Sequence, residues 1–304
     1  MRSDNDRAAR GVLRASAPAK LNLYLHVTGR RADGYHLLDS LIVFAGIADT
    51  VEVAPAHGLR LDVEGPFAAA LGPASSGDNI VMRAARRLAE AAGIEPNAAI
   101  RLTKRLPVAA GIGGGSSDAA ATIDLLCRLW DIKPPAAMLD AIALALGADV
   151  PVCRFARAAF VGGIGEAIAP APPLPPVALV LVNPLKPLPT NSVFAARRGP
   201  YSAPGRFAES PKDAAALALV LRERGNDLTE AASSRMPEIA DIVTGIGATR
   251  GCLLARMSGS GATCFGLFAH MEQAMTAAAM IERARPDWWS VAAPLITDIG
   301  GARP

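Results

Sequence analysis

Lysine is scarce in this 304-residue chain, with five lysines against 26 arginines. Each lysine is therefore the uncommon choice of cation, which gives it a modest claim to a chemical role. Cysteine is scarcer still. Cys127, Cys153, Cys252 and Cys264 lie far apart with no CxxC pair. That excludes a disulfide framework or a cysteine zinc site, and suits small buried residues in a reducing cytosol. The formal net charge is only +3, and no basic run is interleaved with aromatics, which excludes a nucleic-acid-binding protein. No apolar stretch approaches about 18 residues without a proline or a charge, so no membrane span is expected. Residues 1–14 mix Arg2, Arg7 and Arg10 with Asp4 and Asp6 and have no apolar centre. They make a poor signal peptide and are expected to form a disordered tail. No repeat of solenoid length is present.

What is there suffices for two modest packed domains or one large one, since 51% of the residues are hydrophobic and 19% charged. Leu21, Leu23, Leu25 and Val27 alternate with Lys20, Asn22, Tyr24 and His26, which predicts a half-buried strand with Lys20 at its start. Further strands are expected at 41–44, 51–53, 59–63 and 99–103. Helices are expected at 79–92, from the glycine loop to about Trp130, and at 136–146. Five prolines fall within Pro170–Pro176, dividing an N-terminal unit (15–172) from a C-terminal one (173–304). Beyond them come strands at 177–182, 252–257, 263–268 and 290–295, with helices near 212–222, 237–246 and 272–283. Strands follow one another near the start and mix with helices in both halves, the pattern of α+β domains.

The sharpest local feature is Leu106-Pro-Val-Ala-Ala-Gly-Ile-Gly-Gly-Gly-Ser-Ser-Asp118, where four of the five residues from Gly111 to Gly115 are glycine. Such density costs backbone entropy. It allows N–H groups to converge on an anion at the positive end of a helix dipole. A Walker A loop is excluded because Ser117 and Asp118 stand where its lysine would be, and a Rossmann fingerprint because Ser116 replaces its last glycine. The bland alternative is a turn capped by Ser116, with Asp118 favouring the first helical turn. Asp149 follows a predicted helix that stops at Gly147, where the dipole disfavours an acid. Lys20 is a suitable partner for it, and such a pair answers two needs of phosphoryl transfer, a base and a cation.

These pieces together resemble the GHMP kinases. The family's three motifs stand in order as Ala17-Pro-Ala-Lys-Leu-Asn22, Pro107–Ala120 and Ser258-Gly-Ser-Gly-Ala-Thr263. Gly29-Arg-Arg-Ala-Asp-Gly-Tyr-His36, Gly147-Ala-Asp-Val-Pro151 and Asn226-Asp-Leu228 narrow the resemblance to the branch whose acceptor is a cytidine-diphosphate-linked sugar alcohol. The likeness runs from about Ser16 to Leu295. It implies a two-domain fold, with an N-terminal domain like ribosomal protein S5 domain 2 and a ferredoxin-like C-terminal domain. It implies ATP as phosphoryl donor over Pro107, Gly111, Gly113, Gly114, Gly115, Ser116 and Ser117, with Mg²⁺ accompanying it. By motif position Asp149 is the general base, Lys20 keeps it ionised, and Asn22 assists near the acceptor. Tyr35 and Phe194 sandwich cytosine, His36 bonds its edge, and Thr190 approaches the phosphates. The resemblance further implies a cytoplasmic enzyme of small molecules, without nucleic-acid or membrane partners. No carboxylate cluster suggests a dedicated metal cage. Two other readings stay open: a GHMP kinase for another acceptor, such as mevalonate or a sugar, and a non-catalytic nucleotide- or sugar-binding relative.

Overall fold

The structure is a computed structural model and describes residues 11–71 and 79–300. The expected tail lies outside the described residues up to residue 10. Its last two residues, Leu13 and Arg14, are not tail, because they pair with Val53 and Glu52 at the start of the first strand. Among the described residues, no helix is long and apolar enough to cross a membrane.

β1 (Leu13–Arg30) and β2 (His36–Ala54) are antiparallel and run almost their whole lengths together. The other edge of β2 is shared by three strands: β4 (Ala98–Thr103), β5 (Ala159–Gly163) and, through Phe44 and Ala45, β10 (Trp289–Ile296). β3 (Leu59–Glu64) runs parallel to β4, and β6 (Ala167–Pro170) lies antiparallel to β5. The second half forms a layer in the order β10, β7 (Ala178–Asn183), β9 (Cys264–Phe268), β8 (Cys252–Met257). β10 belongs to both layers and stitches them into one sheet. The proline stretch supplies the connection from β6 to β7, as prolines cannot donate to a ladder.

Helices cover both layers. α1 (Ile80–Ala92) starts where the Asn79 side chain accepts from the Val81 N–H at 2.9 Å, and stops at Gly93, whose φ of 64° ends the helix in the left-handed region. It packs with α2 (Gly114–Leu129), α3 (Ala136–Leu146) and α4 (Val150–Phe155) around Phe44, Leu88, Ile100 and Leu126. α5 (Thr190–Ala196), α7 (Thr229–Arg235), α8 (Glu238–Gly247) and α9 (Met271–Ala284) close the second core around Val180, Ile242 and Phe268. α6 (Ala214–Arg222) lies over a third cluster, where Leu21 and Leu23 of β1 meet Leu179 and Phe265 of the C-terminal layer.

The structure corrects two expectations about β1. Lys20 lies inside the strand rather than at its start, and its polar face is not solvated. Lys20, Asn22 and Tyr24 are all buried, with Gly113 packed against the first, Gly259 against the second and Gly205 against the third. The ladder to β2 shifts register between Pro18 and Lys20 and again between Asn22 and Tyr24. Such irregularities re-aim side chains, and these two bracket the pair that matters most below.

Candidate active site

The glycine loop is docked on β1, where the Lys20 N–H donates to the carbonyl of Ile112 at 2.8 Å. It does not precede α2 so much as begin it. Gly113, at φ 61°, is the residue before the helix, and Gly114, Gly115 and Ser116 form the first turn. Ser116 is thus no cap, and the early N–H groups have no capping side chain to spend themselves on. Gly113 also makes room for a neighbour, since a Cβ there would meet Lys20 Cε at 3.1 Å.

The final glycine loop, between β8 and β9, packs against the first. A Cβ on Gly111 (φ 75°) would collide with the carbonyl of Gly261. Thr263 bonds the Ala110 carbonyl through both its N–H (3.1 Å) and its hydroxyl (2.7 Å). Asn226 holds the same loop, its side-chain amide donating to the carbonyls of Met257 and Gly259 at 2.9 and 2.8 Å. The adjoining Asp227 accepts from the Val27 N–H at 2.7 Å. The Asn226-Asp-Leu228 motif therefore ties the C-terminal loop to β1.

Over the glycine loop lies a cavity of about 590 Å³, whose lining includes Gly111, Gly113–Gly115 and Ser116, the apolar Leu71, Ile80, Leu102 and Pro107, and the polar Asn79, Lys104 and Asp118. Convergent N–H groups beside an apolar slot suit a molecule with an anionic tail and a flat apolar head. Ser117 does not line it. Its hydroxyl is fully buried, donating to the Pro18 carbonyl at 2.7 Å, and its N–H is bonded to Gly113. The structure thus assigns Ser117 to fixing α2 against β1 rather than to facing the cavity.

A second cavity, of about 1120 Å³, lies between the two halves. Its wall includes Tyr35, His36, Thr190 and Phe194, and it continues along Gly147 and Ala148 to the residue before Asp149. The His36 and Phe194 rings stack, with centroids 5.2 Å apart and planes 27° from parallel. Tyr35 stays exposed at the rim on a turn where its N–H donates to Asp33 Oδ1 at 3.3 Å. The Thr190 hydroxyl lies 2.9 Å from that of Ser260, on the final glycine loop.

Lys20 and Asp149 meet beside both cavities: Gly113, which packs against Lys20, lines the smaller one, and Ala148, next to Asp149, lines the larger. Lys20 Nζ is 2.9 Å from Asp149 Oδ2 and donates to Asn22 Oδ1 at 3.0 Å. Asn22 is itself fixed, its amide donating to Ser40 Oγ (2.7 Å) and its N–H to Ser258 Oγ (3.0 Å). Only the lysine is buried; the Asp149 side chain keeps 41% of its accessibility. So open an ion pair adds little stability. It leaves a carboxylate oriented by a fixed cation and free to meet a ligand. The expected setting of Asp149 needs revision, because it directly precedes α4, and a carboxylate there is favoured by the dipole of that helix.

Three contributors escaped sequence reasoning. Lys104, beside the first cavity, donates to Asp118 Oδ2 at 2.8 Å and to Asp49, and all three are buried. Asp49 Oδ1 also accepts the N–H groups of Arg105 and Leu106, which anchors the start of the glycine loop. The rarity of lysine was the one available signal for this trio. Among the described residues, Asp118 Oδ1 has no hydrogen-bond partner. Burial pushes the Asp118 carboxyl up to about 7, against the pull of Lys104 and with the charge of Asp49 adding to the rise. A folded-state value above the unfolded one means the folded protein binds the extra proton. The associated stability is present in acid and disappears as pH rises through about 7. Asp118→Asn is accordingly expected to flatten the fall in melting temperature between about pH 5 and pH 8. A variant with the parent's slope would show that another group sets it.

Known proteins place this arrangement. The family model described as the GHMP kinases N terminal domain matches residues 79–157, and that described as GHMP kinases C terminal matches residues 207–287. A 4-diphosphocytidyl-2-C-methyl-D-erythritol kinase of Paramagnetospirillum magneticum is 56% identical over 92% of this chain and 98% of its own length. That of Rhodospirillum rubrum is 53% identical over 96% and 95%. A crystal structure of 4-(cytidine 5'-diphospho)-2C-methyl-D-erythritol kinase superposes with a TM-score of 0.76 at 35% identity, covering 93% of this chain and 99% of that one. Two matching domains, near-complete coverage and high identity agree: the chain belongs to the GHMP kinases, in the 4-diphosphocytidyl-2-C-methyl-D-erythritol kinase family.

Proposed function

We propose that this kinase transfers the γ-phosphoryl group of ATP to the 2-hydroxyl of 4-diphosphocytidyl-2-C-methyl-D-erythritol, a step of non-mevalonate isoprenoid synthesis. The observation that carries the reading is the Lys20–Asp149 pair, 2.9 Å apart, with Lys20 against a residue of the glycine-lined cavity and Asp149 next to a residue of the aromatic-walled one. In this reading the triphosphate lies on Gly111–Ser116 with its base toward Leu71 and Ile80, and the acceptor fills the larger cavity. Asp149 accepts the hydroxyl proton as the acceptor oxygen bonds to the γ-phosphorus and the bond to the β-phosphate breaks, releasing ADP. Lys20 orients Asp149 and offsets charge on the transferring group, while Asn22 orients the acceptor.

Magnesium belongs to the same proposal. The described residues contain no group of three or more His, Cys, Asp or Glu able to hold a metal ion, so in this reading the metal would travel with the triphosphate over the glycine-lined cavity. Phosphate oxygens and water would supply most of its ligands, and its charge would neutralise the triphosphate. Cytosine recognition is assigned to His36 with Tyr35 and Phe194 as stacking faces, and phosphate contact to Thr190. We also read the two units as residues 15–172, like ribosomal protein S5 domain 2, and residues 173–304, ferredoxin-like. The free cysteines suit a cytoplasmic setting.

ADP release measured with the cytidine-diphosphate acceptor, set against mevalonate, galactose and homoserine, tests the reading. Turnover of the first alone is expected. Turnover of another acceptor with none of the first would overturn the assignment, and ATP binding without transfer to any would return the protein to a non-catalytic role.

A further inference from the structure

The wall of the larger cavity carries more positive charge than its neighbours neutralise. Arg30, at the end of β1, donates through Nε to the Gly34 carbonyl at 3.0 Å. Arg197, just past α5, donates to the carbonyls of Gly199 (2.9 Å) and Pro200. Both line the cavity with His36, and among the described residues neither has a carboxylate partner within ion-pair distance. The other charged groups there do not cancel them. Asp33, on the turn, is paired with Arg31 at 2.7 Å, and Arg198 adds a further cation. The cavity wall from α3 and the loop after it, Leu144 to Ala148, contributes no charge.

We propose that Arg30 and Arg197, which line the same cavity as His36, are positioning residues for the acceptor, their charge keeping the ring a neutral donor and acceptor when it meets the base. The inference rests on the reading that the acceptor carries cytosine. A neutral imidazole has one N–H and one lone pair, whereas imidazolium only donates. Cytosine presents an amino donor beside acceptor atoms, so only the neutral ring can accept from that amino group while keeping a donor of its own. The stack on Phe194 fixes the ring plane, and the two guanidinium groups are held by backbone carbonyls, so the arrangement exists before a ligand arrives. Burial, then Arg30 and Arg197, hold His36 below the usual imidazole range, in line with this geometry.

The test compares Arg30→Gln and Arg197→Gln with Arg30→Lys and Arg197→Lys, since both replacements lose the guanidinium contacts but only lysine keeps the charge. Near pH 8 all four should show an acceptor KM close to the parent's. Near pH 6 the glutamine variants should show an acceptor KM raised about threefold or more over the parent, with kcat and the ATP KM unchanged. The lysine variants should follow the parent. Proton NMR of the unliganded protein supplies a readout independent of turnover: the His36 ring titration should move to higher pH in the glutamine variants only. A His36 titration and acceptor KM profile identical in parent and glutamine variants would overturn the inference while leaving the proposed reaction intact. Equal losses in lysine and glutamine variants at every pH would reduce the arginines to structural supports. A parent that does not turn over the cytidine acceptor would remove the reading and this inference with it.

Discussion

Asp149→Asn is expected to lower kcat by about 10²–10⁴-fold, the usual worth of a positioned general base, while the melting temperature and the ATP KM stay near the parent's. The separation follows from exposure. The Asp149 side chain keeps 41% of its accessibility, so its loss uncovers no core and its pairing with Lys20 contributes little to folding. Asparagine is close in shape and can still accept from Lys20 Nζ, now 2.9 Å from Oδ2, but it cannot take a proton from the acceptor hydroxyl. Lys20→Met should cost a similar factor by a different route, leaving the carboxylate in place without its cation. Because Lys20 and Asp149 act as a unit, the double variant should be little worse than either single one. The measurement is steady-state kinetics beside a thermal melt. Near-parental turnover in Asp149→Asn would end the assignment of this residue as base.

Lys104→Met should produce the largest loss of stability, about 3–5 kcal/mol, because it strands two carboxylates in the interior. Asp49 and Asp118 are each at most 2% exposed, and Lys104 is the cation both contact. Such a loss is a large part of the total stability of a typical fold. Its pH dependence has a definite sign. Without the lysine both acids favour protonation in the folded state, so the deficit should grow from about pH 5 to pH 8. Denaturant titrations at those two values measure it. A loss below about 1 kcal/mol, equal at both, would mean that water or a rearranged neighbour replaces the lysine. Asp49 holds the N–H groups of Arg105 and Leu106, so the ATP KM should also rise in whatever fraction stays folded.

How far the sequence reached depended on whether a signal was local. Helix 136–146 ends where expected because Gly147 follows an apolar stretch, and 79–92 because Asn79 and Gly93 bracket it. Lys20 and Asp149 come together as their chemistry suggested, and the second cavity joins Tyr35, His36, Thr190 and Phe194. Misreadings arose where distant chain decides the environment. The alternation of β1 correctly marked a strand, yet its polar face is covered by chain distant in sequence: Gly113 lies against Lys20, Gly259 against Asn22 and Gly205 against Tyr24. Asp149 looked like the unfavourable end of one helix because the six-residue helix after it contains Pro151 and has no side-chain cap to announce it. Ser117 shares the loop's sequence but turns inward, its hydroxyl on the Pro18 carbonyl of β1, while Asp118, one residue on, is held against Lys104 at the cavity's edge. The Lys104 trio draws on three separate segments, a conjunction no periodicity encodes.

The double membership of β10 bears on how the protein is made. Phe44 and Ala45 of β2 pair with Ile296 and Leu295, partners that leave the ribosome some 250 residues later, and β7 waits for the same strand. At ordinary elongation speeds of about 5–20 residues per second, the early strands spend about 12–50 s with part of an edge unsatisfied. Nascent chains of this enzyme should therefore be clients of whatever shields unpaired strand edges during translation. Slowing the last part of translation should lower its soluble yield more than slowing the first.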